Sequence, residues 1–140
     1  MNDYKKHKTS SAELNRLEHK LHQLVNQHRK SIGLLPFKLN HVISARAREH
    51  SQAMAEQRRS SGHIGRKQRT SASEDSSPHT VISENIAYYQ GKSVSMEIIL
   101  QFWLKSERHR NNINGTGKIT GIGIAKTSND SYFITQLFCK

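Results

Sequence analysis

A chain of 140 residues, 34% of them hydrophobic, has room for one domain with one economical core. A net charge of +11 points to an anionic partner such as nucleic acid, a membrane surface or an acidic polymer. No apolar run approaches the roughly 20 residues of a membrane span, and the single cysteine, Cys139, excludes an intramolecular disulfide framework.

The first ten residues, MNDYKKHKTS, are polar and basic and lack the apolar stretch of a signal peptide. Residues 1–11 are expected to form a basic tail and residues 12–140 a single domain. Any export signal is expected to be missing from this chain. Ser10 and Glu13 match a capping box, and Leu14, Leu17, Leu21, Leu24 and Val25 then recur at helical spacing. Gly33 is a natural stop. GLLPFKLN follows as an apolar connector that Pro36 keeps extended. Asn40 is placed to cap a second helix running to about residue 56, with Val42, Ala45, Ala47, Met54 and Ala55 as its apolar contacts.

Residues 58–80 are rich in Ser, Arg, Gly and Asp and carry little periodicity, the pattern of a long loop. VISENIAYY is β-branched and aromatic and predicts a strand. A third helix is expected over about residues 94–105, with Met96, Ile99, Leu100 and Trp103 inward and Glu97, Gln101 and Lys105 as a polar stripe. KITGIGIAK and SYFITQLF flank the turn-type sequence TSND and predict a hairpin. Gly121 and Gly123 leave one face of its first strand bare, as close packing or a ligand requires.

Most of the nine histidines have plain settings. His19, His22, His28, His41 and His50 fall within helical patterns and are expected on solvated or flanking positions. His7 lies in the tail and His79 beside Pro78. His63 and His109 differ, because each sits in a polar stretch next to an ordered element. Gly62 and Gly65 flank His63 and let backbone approach a ligand. Glu84 stands where a strand buries it, so it needs a partner or a raised pKa. Two imidazoles and one carboxylate can hold zinc or another divalent cation. The same three groups, Glu84, His63 and His109, could instead do general acid–base work as a hydrolase. Around His63, Arg58, Arg59, Arg66, Lys67 and Arg69 form a basic cluster suited to an anionic ligand. No serine or cysteine is paired with a base, so binding ranks above catalysis. The charge alone would suit nucleic acid, but no helix-turn-helix, zinc finger or aromatic platform is present, and this reading ranks last.

In order along the chain, LVNQHRKSIGLLPFKLN, AREHSQAMA, GHIG, ENIA, WLKSERHRNNI, GIGIA and YFITQLF resemble the CAP superfamily. These are the cysteine-rich secretory, antigen 5 and pathogenesis-related 1 proteins with an SCP-like domain, and the chain is most similar to the bacterial, cysteine-poor branch. The likeness covers about residues 24–138, and ENIA followed by WLxSxxHRxNI is its most specific part. It implies an α+β fold, an α-β-α sandwich with a small antiparallel sheet between helical layers. It also implies a cleft where His63, His109 and Glu84 meet and hold a divalent ion. Many members carry a second acid three residues after the tryptophan; here Ser106 stands at that place and Glu107 one step on. The resemblance implies an extracellular or cell-envelope module that binds a lipid, an anionic envelope polymer or a host or cell-surface ligand.

Overall fold

The computed structural model describes residues 2–57 and 79–140, with side chains from Ser11 onward. Helix α1 spans Asn2–Ser31, strand β1 Lys38–Leu39 and helix α2 His41–Gln57. Strand β2 spans Val81–Gln90, helices α3 and α4 Met96–Lys105 and Glu107–Ile113, and strands β3 and β4 Ile119–Lys126 and Ser131–Cys139. The helix expected to start at the Ser10 box therefore begins eight residues earlier, at Asn2.

The boundaries that follow have local causes. Gly33 takes a left-handed φ of 82°, which only glycine adopts without strain, and the amide of Leu34 closes back onto Arg29 O at 2.9 Å. Asn40 caps α2: its Oδ1 accepts from the amides of Val42 at 2.9 Å and Ile43 at 3.0 Å. The expected connector holds one more element, because Lys38 and Leu39 pair in parallel with Ile119 and Thr120.

The sheet is mixed, with strand order β1-β3-β4-β2. Both long pairings, β3 with β4 and β4 with β2, are antiparallel. The hairpin turn falls where TSND predicts it, with Asp130 at a φ of 64°. One face of the sheet packs on α1, α3 and α4 through Leu21, Val25, Ala87, Trp103, Ile122 and Ile134. The other packs on α2 through Ile43, Ala47, Leu137 and Cys139. This is the expected α-β-α sandwich.

The bare face of β3 serves close packing. A Cβ on Gly121 would stand 2.4 Å from the carbonyl carbon of Ile43, and one on Gly123 2.0 Å from the amide nitrogen of Arg48. The backbone of α2 lies directly on the strand, so its small contacts are set by depth rather than by side-chain size. The inward stripe of α2 is Ile43, Ala47, His50 and Met54. Of the expected contacts, Ala47 and Met54 are buried, Val42 and Ala55 half-buried, and Ala45 exposed.

Candidate functional site

The stretch WLKSERHRNNI is two helices and a break. Ser106 leaves the helical region at φ −98° and ψ 124°, ending α3 and starting α4. Arg110 reaches back and its Nη1 donates to Leu104 O at 2.9 Å, satisfying a carbonyl that the break leaves open. Trp103, fully buried, donates Nε1–H to Ile86 O at 3.1 Å. Asn112 donates to Glu84 O at 3.2 Å and to Asn85 Oδ1 at 2.9 Å. Asn85 in turn donates to His109 O at 3.0 Å. These bonds fasten both helices to β2, whose outer edge no other strand covers among the described residues.

The far end of α4 is held as firmly. Arg29 of α1 is 3% exposed and donates through Nη1 to Ile113 O at 2.7 Å and to Gly115 O at 2.8 Å. Its Nε donates to Leu35 O at 2.7 Å, and its guanidinium lies 3.8 Å from the centre of the Phe37 ring. A cation against the last carbonyls of a helix also meets the negative end of its dipole. Burial lowers the pKa of Arg29 from its ordinary value. His28 bonds Asn114 Oδ1 at 2.8 Å.

Glu84 is 5% exposed. Asn85 turns towards α4, so strand alternation turns Glu84 to the opposite, α2-facing side, where its register partner Leu137 also lies. A register shift between Val81 and Ser83 lets Val81 share that face with Glu84. His109 is half-buried on α4 beside this strand, and its backbone is fixed by Asn85. Thus the backbone of His109 lies beside Asn85, the next residue after Glu84, while the Glu84 side chain faces the α2 layer.

The other predicted residues fall as follows. Glu107 is exposed, and Ser106 is the half-buried break between helices. Ser106 ends one helix and Glu107 begins the next. His63 and the basic cluster of Arg58, Arg59, Arg66, Lys67 and Arg69 lie outside the described residues. Among the described residues no three histidine, cysteine or carboxylate groups converge as an ion would require. A three-ligand centre would therefore need a group outside the described residues.

One histidine departs from its expected solvated or flanking position. His50 is 4% exposed on the inward stripe of α2, in the layer that Glu84 also faces. His22 and His28 are half-buried, whereas His19 and His41 are exposed as expected. His22 hydrogen-bonds Asn26, which clamps both the amide and the carbonyl of Phe37. Burial, reinforced by His19, lowers the pKa of His22. The spacing of His50 from Ile43 and Ala47, seven and three residues, was the available signal for its burial. Cys139 is free and fully buried, and burial pushes its thiol up to about 11.

The likeness to known proteins agrees with this fold. The family model of the cysteine-rich secretory protein family (CAP) matches residues 22–138. No curated protein matches the chain. Among solved structures, an outer surface protein of Borrelia burgdorferi is 18% identical, with a TM-score of 0.72, over 89% of this chain and 92% of that one. An extracellular protein containing an SCP domain from Bacillus anthracis is 21% identical, with a TM-score of 0.67, over 90% of this chain and 41% of that one. A cysteine-rich secretory protein from Staphylococcus aureus is 18% identical, with a TM-score of 0.65, over 88% of this chain and 39% of that one. The chain spans about two-fifths of these last two proteins. At these identities the structures carry the fold alone, and the family model carries membership: the chain belongs to the cysteine-rich secretory protein (CAP) family.

Proposed function

We propose that this protein is an extracytoplasmic binding module whose cleft holds a divalent cation between His63, Glu84 and His109. The observation that carries the reading is the fastening of α4 to β2. Asn85 and Asn112 hold the backbone of His109 beside the strand that buries Glu84. A buried carboxylate is costly, and a bound cation offsets that cost. Two imidazoles and a carboxylate suit zinc and leave a coordination position open. The ion supplies positive charge to which an anionic group can attach. The basic residues Arg58, Arg59, Arg66, Lys67 and Arg69, next in sequence to His63, would draw in a lipid head group or an anionic envelope polymer. The outer-surface and extracellular relatives support a place outside the cytoplasm. Among the described residues no helix is long and apolar enough to cross a membrane.

Titration calorimetry with zinc tests the metal reading. Imidazole ligands must be neutral, so affinity is expected to fall as pH drops through about 6.5. His63→Ala and His109→Ala should each weaken binding. If the wild type binds no better than the double variant at neutral pH, the metal reading is wrong. Co-sedimentation with anionic and neutral vesicles tests the basic cluster. Reversing its five residues to glutamate is expected to abolish salt-sensitive binding to anionic vesicles, and unchanged binding would remove that part of the proposal.

A further inference from the structure

We infer that the groove between α1, α2 and the end of β3 binds a small organic anion with a short apolar stem. The groove holds about 300 Å³ and is lined by residues of α1, α2 and β3, among them Leu14, Asn15, Arg48, Gln52, Ile124 and Lys126. That volume is at the small end of ligand pockets, on the order of 300–1,000 Å³. It lies at β3, two strands from β2, which carries Glu84 at the opposite edge of the sheet.

The backbone of β3 supplies the first reason. Strand β1 covers only Ile119 and Thr120. Beyond it, alternate amides of β3 point away from β4. Ile122 N–H donates to Ser44 Oγ at 3.1 Å, and Ile124 N–H donates to Glu18 Oε2 at 2.9 Å. Lys126 is the next residue in that outward row, since Thr127 N–H turns inward to Ser131 O at 2.9 Å. No described residue accepts from the Lys126 amide, and the groove stands there. Two successive positions are filled by oxygen acceptors from the protein, and the third opens to a ligand's oxygen.

The side chains supply the second reason. Glu18 engages Arg48 side-on, taking Nε at 3.1 Å and Nη2 at 2.7 Å. This fixes the guanidinium and leaves Nη1 outside the pair, available to a second oxyanion. Lys126 also lines the groove, and its Nζ lies 3.5 Å from Asp130 and 5.3 Å from the centre of the Tyr132 ring. Asn15 and Gln52 are exposed amide donors on the rim. Leu14, Ile124 and Ala125 give an apolar floor for a short carbon chain. Among the described residues no carboxylate lines the groove. The chemistry fits a carboxylate or a phosphate head equally, so the test separates them.

The full chain, labelled with ¹⁵N, is titrated with sodium octanoate, octyl phosphate and the neutral octanamide. Octanoate or octyl phosphate is expected to shift the Lys126 amide resonance saturably, and octanamide to leave it in place. The tighter of the two anions identifies the head group. Lys126→Gln should weaken binding about tenfold, the loss of one charge-assisted contact. Gln52→Trp, a change at an exposed helix position, should fill the groove and abolish binding while the unfolding midpoint stays unchanged. Equal shifts with octanamide overturn the inference. So does wild-type affinity in either Lys126→Gln or Gln52→Trp.

Discussion

The two long edges of the sheet meet the same physical problem and solve it with opposite chemistry. Each exposes a row of backbone groups that must be paired or solvated. At β3 the groups covered are amides, and the cover is acceptor oxygen: Ser44 Oγ and Glu18 Oε2. At β2 they are carbonyls, and the cover is donor nitrogen: Trp103 Nε1 and Asn112 Nδ2. The β3 edge relies on α2 lying almost in contact with the strand, and on a carboxylate from α1 held by Arg48. The β2 edge relies on neutral side chains from two short helices split at Ser106. The first arrangement is rigid and charged. The second is a clasp that positions His109, a residue with no part in covering the edge through its own backbone amide or carbonyl.

Breaking the β3 edge should cost most. Gly123→Ala places a Cβ 2.0 Å from the amide of Arg48, so α2 must lift from the sheet and carry Ser44 and Arg48 with it. The expected loss is about 3 kcal/mol or more, read from the urea midpoint. Glu18→Ala comes next. Glu18 is 5% exposed, and its loss strands the Ile124 amide and one partner of an ion pair. Arg48 keeps 36% of its side-chain exposure, and solvent softens the effect to about 2–3 kcal/mol.

The β2 edge should break more gently but with a functional consequence. Asn112→Ala removes the donor to Glu84 O and Asn85 Oδ1, at a cost of about 2 kcal/mol in chemical denaturation. Because it loosens α4 beside Glu84, it should also weaken zinc binding, whereas Glu18→Ala should leave zinc affinity unchanged. Equal effects of the two substitutions on zinc would erase the functional contrast between the edges.

The smallest effect concerns His22, on neither edge. Its folded pKa lies below the ordinary imidazole value, so between the two values the unfolded chain binds more protons. Stability is therefore present above about pH 6.5 and declines as pH falls through the lowered value. Protonation also removes the ring nitrogen that bonds Asn26, the residue clamping Phe37. Unfolding midpoints between pH 7.5 and 5.5 should fall less in His22→Gln than in the wild type.

Features set by neighbouring residues were legible in the sequence. The Asn40 cap, the Gly33 stop, the TSND turn and the inward face of α3 each need only a few adjacent positions. The burial of Glu84 followed from its strand setting, and the glycines of β3 signalled a close approach whose cause they could not name. What escaped was long-range or short. Glu18 and Arg48 stand 30 residues apart, and Arg29 reaches Ile113 across 84. Strand β1 has two residues and α4 seven, too few for a period to appear. His50 was expected on a solvated or flanking position although Ala47 and Met54, both expected contacts, share its buried face. The expectation that Glu84 and His109 share a site rests on the family resemblance and not on spacing.

The central claim is that the β2 clasp serves a metal centre completed by His63. Anomalous diffraction from zinc-soaked crystals at neutral pH tests it most directly. The account predicts a zinc peak bonded by His63, Glu84 and His109. It is contradicted if zinc appears only on exposed histidines such as His19 and His41, or if the region beside Glu84 carries no peak.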